Sequence, residues 1–159
     1  MPCDDPAMIQ PAAIRTRRPL LAALYTDAMV LADDTRACIE QPDQDDDDAL
    51  DPVTPVLLSC EQLRMTTRLM TVLAWLLAWR AVDAGEMDGA VPPRLDAVPL
   101  PDAAAIGRFS DRTRMLIDGG VALHRRAAFL DAAIVAAATT TVPMVSPALA
   151  IQRRLAAAL

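Results

Sequence analysis

Residues able to do chemistry are few in this chain, and they are widely spaced. The three cysteines, Cys3, Cys38 and Cys60, form neither an even disulfide set nor a close metal-binding pair, which favours a reducing compartment. The single histidine, His124, has no cysteine or acidic residue at ligand spacing. We therefore expect an ordinary surface or half-buried histidine rather than a general base. The sequence predicts no catalytic residue, no metal site and no cofactor.

An acidic run at residues 43–51 invites comparison with a calcium-binding loop. An EF-hand loop needs glycine at its sixth position and a bidentate glutamate at its twelfth. Asp48 and Thr54 stand at those two positions, so a solvated loop is the better interpretation. The five glycines form neither a phosphate-binding loop nor a dinucleotide-binding motif.

The net charge and the length of the apolar segments argue against two classes of protein. All 15 basic residues are arginines, and 21 acidic residues bring the net charge to -6. This balance argues against a protein that mainly binds nucleic acid. The most apolar window, residues 69–79, is shorter than the roughly 20 residues that span a bilayer, and the N-terminus carries early acids rather than a basic region. We expect a cytoplasmic protein of one domain without a membrane partner.

Composition and proline positions predict an all-α fold. Hydrophobic residues make up 53% of the chain but aromatic residues only 3%, which favours helices over strands. Prolines leave three long windows free, and each window has helical apolar periodicity. We predict an antiparallel three-helix bundle with helices at about 19–40, 55–84 and 102–131. Thr54 and Pro55 would start the second helix, and Gly85 would end it in a left-handed conformation.

The first and third helices each show a single apolar stripe. The first stripe comprises Leu21, Leu24, Ala28, Leu31, Thr35 and Cys38. The third comprises Ile106, Phe109, Thr113, Leu116, Gly120, Leu123, Ala127 and Leu130. Cys38 and Cys60 are expected to act as small apolar residues on or near packed stripes. The Gly119-Gly120 pair weakens the third helix or allows another backbone to approach.

The remaining segments are expected to be flexible. These are an N-terminal segment at residues 1–18, an acidic linker at 41–53, a proline-rich linker at 86–101 and a C-terminal tail at 132–159. The end of that tail, IQRRLAAAL, has the pattern of a short terminal helix. Residues 19–131 form the predicted bundle domain.

The middle helix differs because it carries two apolar stripes. One is formed by Leu63, Thr66, Met70, Leu73, Leu77 and Ala81, and the other by Leu69, Val72, Leu76 and Trp79. A helix that is apolar nearly all round must be covered on several sides, which favours a homodimer. Trp75 and Trp79 are interpreted as core or interface anchors. Arg64, Arg68 and Arg80 are expected to pair with acids across helices or across a dimer interface.

The middle helix also resembles a known family. The run from Cys60 to Met70, CEQLRMTTRLM, is followed by Trp75-Leu76-Leu77, Arg80-Ala81-Val82 and Gly85-Glu86-Met87. This pattern resembles the signature helix of the RcdA family of regulators of CtrA degradation, which is found in alphaproteobacteria. The resemblance extends to residues 24–40 and more loosely to 108–131, so it covers most of the chain from about 20 to 131.

The resemblance implies an adaptor without catalytic activity. Family members look like three-helix homodimers that act with CpdR and the ClpXP protease, tethering cell-cycle regulators or further adaptors such as PopA for degradation. On this basis, candidate signature or interface residues are Arg64, Thr67, Arg68, Met70, Leu73, Trp75, Leu76, Trp79 and Arg80. Candidate partner-binding residues on the outer face of the third helix are Arg112, Arg114, Arg125 and Arg126.

Two alternatives stay open. The first is a dimeric helical scaffold or regulatory interaction module without a link to proteolysis. The second, which the net charge disfavours, is a DNA-associated regulator that uses the four arginines of the third helix. The short apolar terminus LAAAL is similar to tails that ClpX recognises, but chance in an alanine-rich chain explains it as well.

Overall fold

The computed structural model describes residues 12–42, 51–87 and 93–140. All regular elements within these ranges are α-helices, as predicted. They are α1 (Ala12–Glu40), α2 (Val53–Ala84), a short α3 (Ala103–Ile106) and α4 (Asp111–Thr140). The acidic stretch 43–50, most of the N-terminal segment and residues 141–159 lie outside the described residues, so the predictions for them are untested.

The apolar stripes of α1 and α4 form much of the core, as predicted. Leu21, Leu24 and Ala28 of α1 are buried, and so are Leu116, Leu123 and Ala127 of α4. All six belong to one apolar cluster. Each of the three long helices packs against the other two. The amphipathic period therefore correctly identified the buried side of both helices.

The two apolar stripes of α2 differ in burial. Leu69, Val72, Leu76 and Trp79 are buried, and Trp75 joins them. In contrast, Leu63, Met70 and Leu77 of the other stripe are 69%, 63% and 50% exposed. The helix is therefore covered on one side within this chain. In the other apolar stripe Leu73 is half-buried, whereas Leu63, Met70 and Leu77 stay largely exposed among the described residues.

The helix directions correct the predicted antiparallel arrangement. Arg17 pairs with Asp83, and Thr35 contacts Met65, so α1 and α2 run in opposite directions. Cys38 contacts Thr113 and Asp27 pairs with Arg126, so α1 and α4 are antiparallel as well. Accordingly α2 and α4 run in the same direction: Gly120 lies beside Met65 and Arg68, and Asp131 lies beside Trp75.

The start of α1 lies before the predicted position. Pro19 is inside the helix rather than at its first turn, although proline normally breaks a helix interior. Contacts before Pro19 explain the extension: the guanidinium of Arg17 lies 4.5 Å from the centroid of the Trp79 ring and pairs with Asp83. Tertiary anchoring thus overrides the local preference.

The ends of α2 are partly as predicted. Gly85 has a φ of 75°, and the N–H of Glu86 donates to the carbonyl of Ala81 over 3.0 Å, which is the expected left-handed stop. The N-terminus differs, because Pro52 occupies the cap position without a side-chain cap and Thr54 is buried inside the helix.

The third predicted helix is divided in two. α3 ends at Ile106, and α4 begins at Asp111 and continues to Thr140, beyond the predicted end at 131. Ser110 explains the new start, because its Oγ accepts the N–H of Thr113 at 3.2 Å, the geometry of an N-cap. The stripe survives this break: Phe109 and Thr113 are both buried.

Residues 93–102 connect α2 to α3 without helix or strand, and we call them the return segment. They run back along α2 and α4, which is why those two helices can be parallel. Arg68 contacts the carbonyl of Pro99 and Glu61 contacts the amide of Asp102. Pro99 and Asp102 are three residues apart, whereas their partners Arg68 and Glu61 are seven residues apart on α2, a rise of about 10 Å. A chain that covers this distance in three residues is nearly fully extended. Far from being a free linker, this segment is bound along its length.

Candidate functional site

The return segment is held to α2 by two charged side chains that sequence analysis did not single out together. Arg68 Nη2 donates to the carbonyl oxygen of Pro99 at 2.7 Å. The backbone N–H of Asp102 donates to Oε1 of Glu61 at 3.4 Å, and Arg64 donates to the same oxygen. Both contacts to the segment are with main-chain atoms, so they depend on its path more than on its side chains.

Glu61 and Arg68 are almost completely buried, at 1% and 2% exposure. Within the described residues, Oε2 of Glu61 and Nη1 of Arg68 have no hydrogen-bond partner. Burial lowers the pKa of Arg68 from its ordinary value, although attraction to Glu61 opposes this shift. The hydrogen bond from Arg64 to Glu61 raises the pKa of Arg64. The available sequence signal for this cluster was a glutamate one helical turn before Met65 and two turns before Leu69, on the side of α2 that is buried.

A second polar contact point lies further along the segment. The carboxylate of Asp131 accepts the indole N–H of Trp75 at 3.1 Å and the Nε of Arg94 at 3.0 Å. Nε2 of His124 lies 3.0 Å from the carbonyl oxygen of Asp96. His124 is half-buried, as predicted, and it positions the return segment.

An open groove lies between the return segment and α2, with a volume of about 600 Å³. It is lined by Thr66, Thr67, Met70, Thr71, Ala74, Trp75, Ala78, Pro93, Arg94 and Asp96. The three threonine hydroxyls each donate to the carbonyl one helical turn earlier. The α2 wall therefore presents mainly methyl groups, Met70 and Trp75.

The exposed stripe of α2 borders this groove. Val56, Leu63, Met70 and Leu77 are spaced by seven residues, and each is at least half exposed. We call these four residues the α2 stripe. Apolar residues spaced by seven lie along one side of a helix, and they match one of the two apolar positions of the heptad repeat by which helices pack together.

The other signature candidates have different environments. Leu76 and Trp79 lie in the core, and Leu73 is half-buried. Arg80 lies 5.1 Å from the centroid of the Tyr25 ring. Arg64, Arg68 and Arg80 were expected to pair with acids across helices or across a dimer interface. Within the described residues Arg64 pairs with Glu61 on its own helix, and the other two contact a carbonyl and a ring. Pairing across a dimer interface stays a prediction.

The four arginines of α4 do not form one free basic surface. Arg114 pairs with Asp111 one turn earlier, and Arg126 pairs with Asp27 of α1 at 2.7 Å. Arg112 and Arg125 are exposed. The structure therefore commits two of the four candidates to ion pairs within the chain.

The cysteines and acidic residues form no metal-binding cluster within the described part of the chain. Cys38 is buried as predicted, whereas Cys60 is exposed, which corrects its expected packing. Cys3 lies outside the described residues. Of the helices in the described ranges, none has the length and apolar character needed to cross a membrane.

Comparison with protein families supplies an assignment for nearly the whole chain. A model described as "protein of unknown function (DUF1465)" matches residues 13–159. The chain belongs to the DUF1465 family. The match includes all four helices, the return segment and the residues after Thr140, so the α2 groove lies inside the region shared with the DUF1465 family. Comparisons with curated proteins and with solved structures find no similar protein.

Proposed function

We propose that this DUF1465 protein is a cytoplasmic, non-enzymatic adaptor of the RcdA type, which delivers cell-cycle regulators to the ClpXP protease together with CpdR. The observation that carries the proposal is the α2 stripe, whose Leu63, Met70 and Leu77 are 69%, 63% and 50% exposed. An apolar stripe of this kind on a charged protein is typical of a protein-binding surface. The resemblance of CEQLRMTTRLM to the RcdA signature supports the same assignment.

The proposed mechanism is tethering. An adaptor that binds both a substrate and a protease complex raises the local substrate concentration at the protease, without any chemical step of its own. The α2 stripe and the exposed Arg112 and Arg125 lie on different helices, so one chain has more than one exposed set of residues for partners. PopA-like adaptors are candidate partners through the same family resemblance.

We further infer that the protein forms a homodimer through the α2 stripe. Symmetric dimers are the commonest assemblies of soluble chains, and a heptad-spaced stripe fits packing against its own copy. The same stripe also supports the second candidate, a dimeric helical scaffold without protease linkage.

A reconstituted degradation assay separates the two candidates. Purified ClpXP and CpdR from the same organism are combined with a candidate substrate, with and without this protein. The adaptor proposal predicts faster substrate loss, and Met70→Arg should reduce that acceleration. Met115→Arg is the matched control, because Met115 is 70% exposed on α4, away from the α2 stripe. If no substrate is degraded faster while the protein still dimerises, the scaffold function is the better assignment.

A further inference from the structure

The groove beside the return segment has two walls of different chemistry. Its α2 wall presents Met70, Ala74, Ala78 and threonine methyl groups, with the threonine hydroxyls already bonded to their own helix. This wall needs no hydrogen bonds from an occupant. This wall can bind an occupant by burying the occupant's apolar side chains.

The other wall is formed by Pro93, Arg94 and Asp96 of the extended return segment. In the described part of the chain, the N–H groups of residues 95–98 form no hydrogen bond, and neither do the carbonyls of Leu95, Ala97 and Val98. Inward contacts hold this stretch in place: Asp96 contacts His124 through its carbonyl, and Arg94 pairs with Asp131. Leu95 packs against the core. The stretch is thus a fixed, extended edge. Successive main-chain groups of an extended chain point to opposite sides, and the carbonyl of Asp96 points to α4 while that of Pro99 points to α2. The free main-chain groups on the α2 side are therefore those of Leu95 and Ala97.

An extended peptide satisfies both walls. Free N–H and C=O groups on an ordered extended edge can pair with the main chain of a second extended segment, while alternate side chains enter an adjacent apolar groove. An α-helix would leave the edge unpaired, because its own N–H and C=O groups are bonded internally. Asp96 adds a charge preference, since its exposed carboxylate has no ion-pair partner among the described residues.

We propose that the groove between α2 and residues 93–98 binds an extended polypeptide segment of a partner protein, with small β-branched residues and a basic residue near Asp96. The proposal deepens the adaptor function and rests on it for the identity of the partner, because it names the kind of substrate or partner segment that this surface selects. Binding of a peptide itself does not depend on any protease.

The test is a nuclear magnetic resonance titration of the full chain with a capped hexapeptide, RVTVTV. We expect saturable shifts of the backbone amides at residues 94–98 and around Ala74 and Ala78. The same peptide methylated on its three valine nitrogens should bind at least ten-fold more weakly, because it cannot pair with the extended edge. Equal binding of the two peptides would contradict the main-chain pairing.

A pair of alanine variants locates the site. Ala74→Arg fills the groove from an exposed helical position, and we expect it to weaken peptide binding at least ten-fold. Ala23→Arg makes the same change at an exposed position of α1 and should bind like the parent. Equal binding by both variants would overturn the assignment to this groove.

Two other outcomes would assign a different occupant to the groove. Dissociation of a dimer formed through the α2 stripe is expected to shift resonances around Met70 only. If the amides of residues 94–98 also shift when the protein alone is diluted, a second copy occupies the groove and the peptide proposal is wrong. If the full chain shows no shift with RVTVTV but a chain ending at residue 140 does, the C-terminal segment is the occupant instead. The degradation assay is independent, so an adaptor that accelerates proteolysis without binding the peptide would refute only this inference.

Discussion

The indole of Trp75 donates its N–H to the carboxylate of Asp131 across 3.1 Å, joining α2 to α4 at a point where both residues are buried. The other oxygen of the same carboxylate accepts Nε of Arg94 at 3.0 Å. One acidic side chain therefore connects two helices and the return segment. This contact fixes the parallel alignment of α2 and α4 at the end of the groove.

Replacing Asp131 tests the strength of this junction. Asp131→Ala leaves the buried Trp75 N–H unpaired, and we expect a loss of about 2–3 kcal/mol in the free energy of unfolding. Asp131→Asn keeps an oxygen that accepts from Trp75, but its NH2 group cannot accept from Nε of Arg94. Because Arg94 is 61% exposed and can turn to water, we expect a loss of only about 1 kcal/mol. Urea unfolding followed by tryptophan fluorescence measures both. Equal losses for the two variants would show that the hydrogen bond to Trp75 contributes little.

The two tryptophans form a second matched pair. Both are buried to similar extents, but Nε1 of Trp79 has no partner in the described part of the chain, whereas Nε1 of Trp75 has Asp131. Replacement by phenylalanine removes similar volume at each position. We expect Trp75→Phe to destabilise the protein by about 1–2 kcal/mol more than Trp79→Phe, because it leaves a buried carboxylate oxygen without its donor. Thermal unfolding of the two variants supplies the comparison, and the reverse order would contradict the assigned bond.

The adjacent glycines of α4 should respond differently to alanine. A Cβ at Gly120 would lie 3.8 Å from Cγ of Met65, an ordinary contact, whereas one at Gly119 would lie 3.3 Å from Cδ1 of Leu31. Alanine is favoured over glycine inside a helix by about 1 kcal/mol. We expect Gly120→Ala to stabilise the protein by up to about 1 kcal/mol, and Gly119→Ala to gain less because Leu31 must move. Chemical denaturation measures the unfolding free energy of both variants. A destabilised Gly120→Ala would contradict the open space beside Met65.

The proposed dimer makes a prediction about mass. Leu63→Arg and Met70→Arg place a charge on the α2 stripe, so they should lower the molar mass in solution towards that of one chain. Because both side chains are exposed in the single chain, we expect the stability of the monomer to change by less than about 0.5 kcal/mol. Light scattering coupled to size exclusion gives the mass, with Met115→Arg as control. A parent protein that is already monomeric would exclude the α2 stripe as a dimer interface.

Much of the fold was predictable from local pattern. Periodicity in α1 identified Leu21, Leu24 and Ala28 as core residues, and Gly85 was recognisable as the end of α2. The split between α3 and α4 was missed, although Ser110 followed by Asp111 is a typical helix start. A continuous apolar stripe from Ile106 to Leu130 hid the break, because the stripe continues across it.

The candidate site was only partly predictable. Arg68 and Trp75 were singled out, but their partners, Pro99 and Asp131, lie 31 and 56 residues away in the chain. No spacing rule connects such residues, since their proximity depends on the direction of the return segment. Glu61 was overlooked because its sequence neighbours do not indicate that it contacts the backbone amide of Asp102, 41 residues away.

The sequence by itself determined that this protein is helical, where its long helices lie and which sides of α1 and α4 are buried, because these properties follow from residue type and a period of 3.6. Only the tertiary structure decided which stripe of α2 is covered, since burial of either apolar stripe would gain a similar hydrophobic free energy. The same holds for the parallel direction of α2 and α4 and for the extended edge beside the groove. Those features depend on contacts between distant residues, such as Arg68 with Pro99, that exist only once the chain has folded.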